Sequence, residues 1–403
     1  MKIGIIGAGA SGMAAAITAA RDPGNEVILL ERQARVGRKL QATGNGRCNL
    51  THMDACADDY NGEEKGEFVR FALERYGVED TLAWFREMGL FTVAESSGRV
   101  YPYSDQANSV VDVLRFALQK PNIRLLTGFE VQKCRRSGEG FVIESENDSL
   151  LCDRLIIACG GLAGSKLGGS MSGYKLLRAF GHHCTKLRPA LVQLKSDWSG
   201  CVSLKGVRAN CWALILRDGQ LHSAGKGELQ FTEYGLSGPV IFEISRDVCA
   251  KPGNWVCALD LLPDVREQEL LVALKRRQQT DLCGEDLLTG ILHNRLGRVV
   301  CKEAGINPMR PVRELTEADL RQVCDAVKHF EVHLTEPMGM DSAQVTAGGV
   351  LTTEFHAETM ESRLVPGLFA CGEVLDVDGD CGGYNLQWAW SSGRLAGESA
   401  GKG

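Results

Sequence analysis

The chain has 403 residues, 44% of them apolar and 24% charged, the make-up of a globular protein with room for two or three domains and a sizeable core. A formal net charge of −6 argues against a protein built to track a phosphate backbone, although a local basic patch around Arg35, Arg38, Lys39 and Arg47 is compatible with it. No apolar run approaches the length of a membrane span and the first residues run straight into a strand, with no room for a secretory signal, so the cytoplasm is the expected location and no membrane partner is expected.

In chain order, Lys2 to Ile6 is a short apolar run bounded by glycine and reads as a buried strand. Ser11 to Arg21 is rich in alanine and reads as a helix, and Glu26 to Leu30 as a second buried strand ending at Glu31. These three elements make one βαβ unit. Glu67 to Met88 and Ser109 to Gln119 carry helical spacing, with a strand near Ile123 to Leu126. Phe129 to Arg135 and Gly140 to Glu146 alternate like antiparallel strands, and Leu155 to Ala158 is a short buried strand running into Gly160-Gly161. The texture changes at Pro189. From there to about Asp260 short strand-like runs alternate with turn signals such as Arg217-Asp-Gly219 and Lys251-Pro-Gly253. Asp264 to Phe330 is helical, around Leu270, Leu292 and Val323, and glycine-rich strand texture returns at Val345. The expected organisation is one α/β domain over 1–188 and 337–403. An insert interrupts it, β-barrel-like over 189–262 and helical over 263–336.

Fifteen cysteines are present, none in a C-x-x-C pair. That spacing indicates neither zinc ribbons nor dithiol redox motifs, and no metal site is expected. An odd count suits small buried apolar residues in a reducing compartment better than a disulfide framework.

The strongest motif is Gly7-Ala8-Gly9-Ala10-Ser11-Gly12, which follows one strand, opens a helix and precedes the acid-ended strand at Glu31. Gly7 permits a tight turn, Gly9 lets the backbone approach a pyrophosphate, and Gly12 allows close helix–strand packing. The helix start then offers free N–H groups and a positive dipole end to phosphate. Glu31 suits the ribose hydroxyls and disfavours a 2′-phosphate. This is a Rossmann dinucleotide fingerprint. Two further segments make FAD the expected dinucleotide. Ala42 to Thr51 packs two glycines and two asparagines into ten residues, a loop suited to backbone contact with a ligand. Gly367 to Glu373 reads as a strand ending in Gly-Glu, and Cys381-Gly-Gly-Tyr-Asn-Leu-Gln387 opens a second helix whose N-terminus suits the pyrimidine edge of an isoalloxazine. Trp388 and Trp390 are expected as packing residues.

Gly7 to Gly12, Glu31-Arg32, Ala42 to Asn49, Cys371 to Gly393 and Phe231-Thr-Glu-Tyr-Gly-Leu-Ser-Gly-Pro239 together resemble the BaiN/YhiN-like flavoproteins, FAD-dependent NAD(P)H oxidoreductases, over essentially the whole chain. The resemblance implies a glutathione-reductase-type FAD-binding Rossmann domain interrupted by a small β-barrel and a helical portion. Cofactor contacts are expected at Gly7, Gly9, Ala10, Ser11, Gly12, Glu31, Arg32, Lys39, Gly44, Asn45 and Asn49, and at Val131, Gly160, Gly372, Glu373, Asn385 and Leu386. Val131 matches a strand position whose backbone meets adenine in related flavoproteins. One departure stands out: many members carry His where this chain has Glu233.

The chain holds no second complete G-x-G-x-x-G unit, so NAD(P)H, the expected electron donor, has no dedicated Rossmann domain here. The resemblance implies reduction of an activated C=C bond, as in the Δ4 and Δ6 bonds of 3-oxo bile acids. A hydride would reach the β-carbon of an enone, an acid would protonate the α-carbon, and donors would polarise the carbonyl. Candidate donors are Tyr101, Tyr103, Thr232, Tyr234 and Tyr384, while Arg47 or Arg99 suits a substrate carboxylate. The expected chemistry lies at the flavin end of the cofactor, between the Rossmann domain and the insert. Two alternatives stay open at this point. One is reduction of uridine in ribosomal RNA, against which the acidic balance counts. The other is a non-catalytic FAD-dependent scaffold.

Overall fold

The chain forms two compact units, Met1–Arg188 together with the segment from Gln344 onward, and Pro189–Ala343. The computed structural model describes residues 1–402.

In the first unit Lys2–Ile6 is the central strand of a five-stranded parallel sheet, in the order Leu368–Ala370, Arg154–Ile157, Lys2–Ile6, Glu26–Glu31, Ile123–Thr127. Both faces of the central strands are covered, which is why Ile3, Ile5, Val27 to Leu30 and Leu155 to Ile157 are continuous apolar runs, not alternating ones. The chain leaves the first strand in one direction and returns on its other side, which places a topological switch point between Lys2–Ile6 and Arg154–Ile157. Ligands of open α/β sheets bind outside the carboxyl ends of the strands at such a point. Gly7 to Gly12 and Cys159 to Gly161 both begin there.

An antiparallel meander, Lys133–Ser137, Gly140–Glu144 and Ser149–Cys152, lies against the sheet so closely that a Cβ on Gly4 would come 2.7 Å from Ile143 Cδ1. Its third strand had no clear alternation in the sequence. The strand expected over Phe129 to Arg135 begins only at Lys133, so Val131 lies in the connection before it, with its side chain buried. Upstream the backbone is still tied elsewhere: Gly128 N–H donates to Gln33 O at 3.0 Å and Phe129 N–H to Glu31 O at 2.9 Å. The helical stretch Glu67 to Met88 divides into Glu67–Arg75 and Val78–Glu87, where the Asp80 carboxylate accepts the Gly77 N–H at 3.2 Å and restarts the helix.

The first helix, Ala10–Ala19, packs along the C-terminal helix, Tyr384–Gly401. Gly393 and Gly397 make the approach possible: a Cβ on either would sit 2.3 Å from a carbonyl of the first helix, Ser11 O or Ala15 O. The C-terminal helix is buried nearly all round, Trp388 and Trp390 included. Their indole N–H groups donate to Gly372 O at 3.2 Å and Leu50 O at 3.0 Å.

The second unit is built on a six-stranded antiparallel sheet, in the order Leu194–Lys195, Gly235–Ser237, Gln220–Thr232, Arg208–Arg217, Trp255–Asp260, Phe330–Leu334. The sheet closes on itself, because the chain beyond Leu334 bonds back to the first strand: Thr335 N–H to Lys195 O at 2.9 Å, Lys195 N–H to Glu336 O at 2.8 Å and Met338 N–H to Gln193 O at 2.9 Å. Arg208–Arg217 and Gln220–Thr232 are joined by Asp218-Gly219, both at positive φ (50° and 80°), a primed turn whose twist matches the strands. Helices Glu267–Arg277, Asn294–Glu303 and Glu317–Lys328 fill the expected helical portion. A further helix, Pro239–Ala250, lies inside the stretch read as strands. Its signal was present in Pro239 at the first helical position and in Val240, Ile241, Ile244 and Val248 at helical spacing.

Candidate functional site

The Gly7 to Gly12 turn is built as its residues require. Gly7 has φ 104°, and a Cβ there would meet Ala158 O at 2.4 Å. A Cβ on Gly12 would lie 1.8 Å from Gly7 O, so this position admits glycine alone. Gly9 is the opposite case: a Cβ would meet nothing within 4 Å, so its backbone faces open space. No side chain caps the first helix at Gly9 and no acidic residue occupies its first turn, which leaves the N–H groups beginning at Ala10 and Ser11 to a ligand anion. Glu31 is anchored at the end of its strand by two backbone donors, Ala8 N–H at 2.9 Å and Gln33 N–H at 2.8 Å. Arg32 donates to Gly168 O at 2.7 Å.

Lys39 and Glu373, distant in sequence, form an ion pair at 2.7 Å. The second Glu373 oxygen accepts Thr346 N–H at 2.9 Å, and the Thr346 hydroxyl in turn accepts the N–H groups of Leu162 and Ala163, each at 2.9 Å. Gly160 (φ 71°) faces open space next to this network. Gly372 (φ 76°) donates its N–H to the Ser392 hydroxyl at 3.0 Å.

The Ala42 to Thr51 loop carries left-handed backbone at Gly44 (57°), Asn45 (55°), Gly46 (87°) and Cys48 (62°). The buried Oδ1 of Asn49 has no hydrogen-bond partner within the protein. A buried acceptor costs stability unless something donates to it, so this atom calls for a ligand donor. Cys48 beside it is no reactive thiol: burial pushes its pKa up to about 12. All fifteen cysteines are free, nine of them buried. Arg47 is held by the carboxylates of Asp105 and Glu95 and lies 3.9 Å over the Tyr101 ring, which commits the guanidinium to protein partners.

The C-terminal helix starts at Tyr384 behind Gly382 (φ 135°) and Gly383 (φ 110°), with no side-chain cap and no acid in its first turn. The Asn385 side chain is turned to the backbone of its own loop: Oδ1 accepts Gly379 N–H at 2.9 Å and Nδ2 donates to Gly379 O at 2.7 Å. It shapes the helix start, and Leu386 packs against the core. Gln387 is fully buried and links the helix to Thr51, at 2.6 Å, and to Thr81, at 2.9 Å. Tyr384 stacks on His52, ring centroids 4.9 Å apart, a neighbour that the sequence spacing did not suggest.

The hydroxyl candidates fall in different settings. Tyr103 is 76% exposed. Tyr101 is buried under Arg47, and burial raises its pKa, which disfavours proton release while leaving it a hydrogen-bond donor. Thr232 donates to Gly235 O at 3.0 Å within its own turn, in the second unit with Tyr234. Gly235 and Gly238 are required there by backbone approach, since a Cβ would lie 2.1 Å from Leu194 O and 2.7 Å from Glu228 O. Glu233 pairs with Lys205 at 2.5 Å on the surface.

An uncapped glycine turn, a carboxylate at the end of the following strand, an unanswered buried acceptor in the glycine loop and a second uncapped helix start fit FAD. Thr346, Ser392 and His52 are neighbours of this region that the sequence did not single out, and Gln387 entered only as the last residue of the Cys381 to Gln387 helix start. Only Thr346 carried a signal, its place one residue before Ala347-Gly348-Gly349 being followed by a glycine pair.

The profile described as "HI0933-like protein Rossmann domain" matches residues 1–399. The chain is 40% identical to the 3-dehydro-bile acid delta(4,6)-reductase of Clostridium scindens, covering 99% of this chain and 98% of that one. It is 32% identical to the ribosomal RNA dihydrouridine synthase of Escherichia coli, over 96% and 95% of the two chains. Among solved structures, the 3-ketosteroid delta1-dehydrogenase of Sterolibacterium denitrificans shares the fold with a TM-score of 0.51 at 13% identity, covering 99% of both chains. The E. coli quinol fumarate reductase subunit FrdA does so with 0.50 at 18% identity, covering all of this chain and 70% of that one. The chain therefore belongs to the HI0933-like family of FAD-binding Rossmann proteins, and it is an oxidoreductase.

Proposed function

We propose that this protein reduces an activated C=C bond of a small steroid-like enone, a 3-oxo compound unsaturated at Δ4 or Δ6, with electrons drawn from NAD(P)H. The observation that carries this reading is the 40% identity, across nearly the entire length, to a 3-dehydro-bile acid delta(4,6)-reductase. The −6 net charge favours a small molecule over RNA.

When bound, FAD supplies two-electron hydride chemistry. The N–H groups at the start of the first helix would hold the diphosphate, and Glu31 would accept the ribose hydroxyls. Lys39, paired with Glu373, would offer a cation to the phosphate and ribityl side. The uncapped start of the C-terminal helix offers N–H donors to an electron-rich ring edge. Among the hydroxyl candidates Tyr384, at that helix start, takes the role of donor to the enone carbonyl, where negative charge grows as the β-carbon gains hydride.

Anaerobic stopped-flow work on the holoenzyme tests the reading. NADH or NADPH bleaches the flavin, and a 3-oxo-Δ4 steroid reoxidises it, whereas unmodified ribosomal RNA leaves it reduced. Tyr384→Phe slows the second step and spares the first. Reoxidation by RNA and not by enone would overturn the substrate class, and a flavin that neither nicotinamide bleaches would overturn the donor.

A further inference from the structure

The loops that follow two neighbouring parallel strands, Arg154–Ile157 and Leu368–Ala370, are both hydrogen-bonded to one residue that belongs to neither, through its side chain to the first and its backbone N–H to the second. Thr346 is 1% exposed. Its hydroxyl accepts Leu162 N–H and Ala163 N–H, both at 2.9 Å, so it gathers two backbone donors of the first loop. Its own N–H donates to Glu373 Oε1 at 2.9 Å, in the second loop. The other Glu373 oxygen holds Lys39 Nζ at 2.7 Å. Gly161 is pressed against the junction: a Cβ there would lie 2.5 Å from both Thr346 Oγ1 and Glu373 Oε1. A carboxylate free to rotate would find several ways to meet a lysine. Here each oxygen has a fixed donor, and the orientation of the pair traces back to Thr346.

We infer that Thr346 is a positioning residue of the FAD site. It acts through its neighbours: it sets the Gly160 to Ala163 loop and the Glu373 carboxylate, and through Glu373 the Lys39 cation. The inference rests on the FAD reading above and adds to it the residue that orders this side of the crevice. Valine has nearly the shape of threonine and keeps the N–H bond to Glu373. It removes the acceptor, however, and leaves two buried N–H groups unanswered next to the site. Serine keeps the acceptor.

The test uses full-length wild type, Thr346→Ser, Thr346→Cys and Thr346→Val, with FAD Kd from flavin fluorescence quenching, the visible flavin spectrum and the flavin midpoint potential. Expected is FAD binding weakened at least about tenfold in Val with a displaced spectrum, Ser within about twofold of wild type, and Cys, a weak acceptor, between them. Equal FAD Kd and unchanged potential in Val and wild type would overturn the inference, as would Val lowering apoprotein and holoprotein melting alike with FAD Kd intact. Should Val not fold, Cys decides: binding equal to wild type overturns the inference. A wild-type protein that binds no FAD sinks the FAD reading itself, an outcome distinct from all of these.

Discussion

The first unit contains two glycine-opened helix starts, and they are made in different ways. At Ala10–Ala19 the turn is local. Gly7, Gly9 and Gly12 lie within six residues, and their constraints come from each other and from the neighbouring strand, as in the 1.8 Å approach of a Gly12 Cβ to Gly7 O. At Tyr384–Gly401 the constraints come from far along the chain. A Cβ on Gly383 would lie 2.5 Å from Thr51 O, Gln387 is bonded to Thr51 and Thr81, and Tyr384 stacks on His52. A motif whose glycines lie within six residues can be read from a string of residues. One whose geometry is imposed by partners hundreds of residues away reads only as a glycine pair before a helix.

The contrast predicts unequal consequences. Gly12→Ala drives a Cβ into a backbone carbonyl that has nowhere to move without opening the phosphate turn. FAD retained per protein after gel filtration falls at least about a hundredfold, in line with overpacking of a rigid site. Wild-type retention would break the comparison at its firmer end. Gly397→Val places its first carbon 2.3 Å from Ala15 O, away from the turn. It lowers stability by about 1–3 kcal/mol, seen as a melting temperature several degrees lower, with FAD still bound. FAD loss as complete as that of Gly12→Ala would show that the two helices do not separate these roles.

The smallest effect concerns the far end of the same helix. Hydrogen bonding to Arg75, foremost, and to Lys402 and Tyr76 holds the Glu398 carboxyl down to about 2 from an ordinary 4.5. The folded pKa is depressed, so the stabilisation is fully present above about pH 4.5 and is lost as pH falls toward 2. Glu398→Gln flattens the acid limb of a melting-temperature profile in that window and lowers stability modestly at pH 7. An unchanged acid limb would remove Glu398 from the account.

Much of the first unit was legible because its signals are local. Strands buried on both faces are continuous apolar runs, the first turn is three glycines and a helix, and the second compact unit begins at Pro189, where the period of the sequence changes. Asp218-Gly219 marked its hairpin for the same reason. Three readings went astray where tertiary contacts override the pattern. The strand drawn from Phe129 starts at Lys133, because Gly128 and Phe129 are tied to the end of another strand. Helix Pro239–Ala250 was hidden among strands, as a single short periodic run is ambiguous without its partners. Arg47, offered to a substrate carboxylate, already has two carboxylates and an aromatic face from segments up to 58 residues away.

By itself the sequence determined the βαβ unit, its glycine turn, and the family to which the chain belongs, because each is encoded in residues close together or in a long shared pattern. Only the tertiary structure decided that Asn385 serves its own loop, that Asn49 Oδ1 is left buried and unanswered, and that Lys39, Glu373 and Thr346 form one network. Those facts depend on which groups meet across hundreds of residues, and hydrogen bonding over 2.7–2.9 Å is settled by the packing of the elements that carry the groups, not by their spacing along the chain.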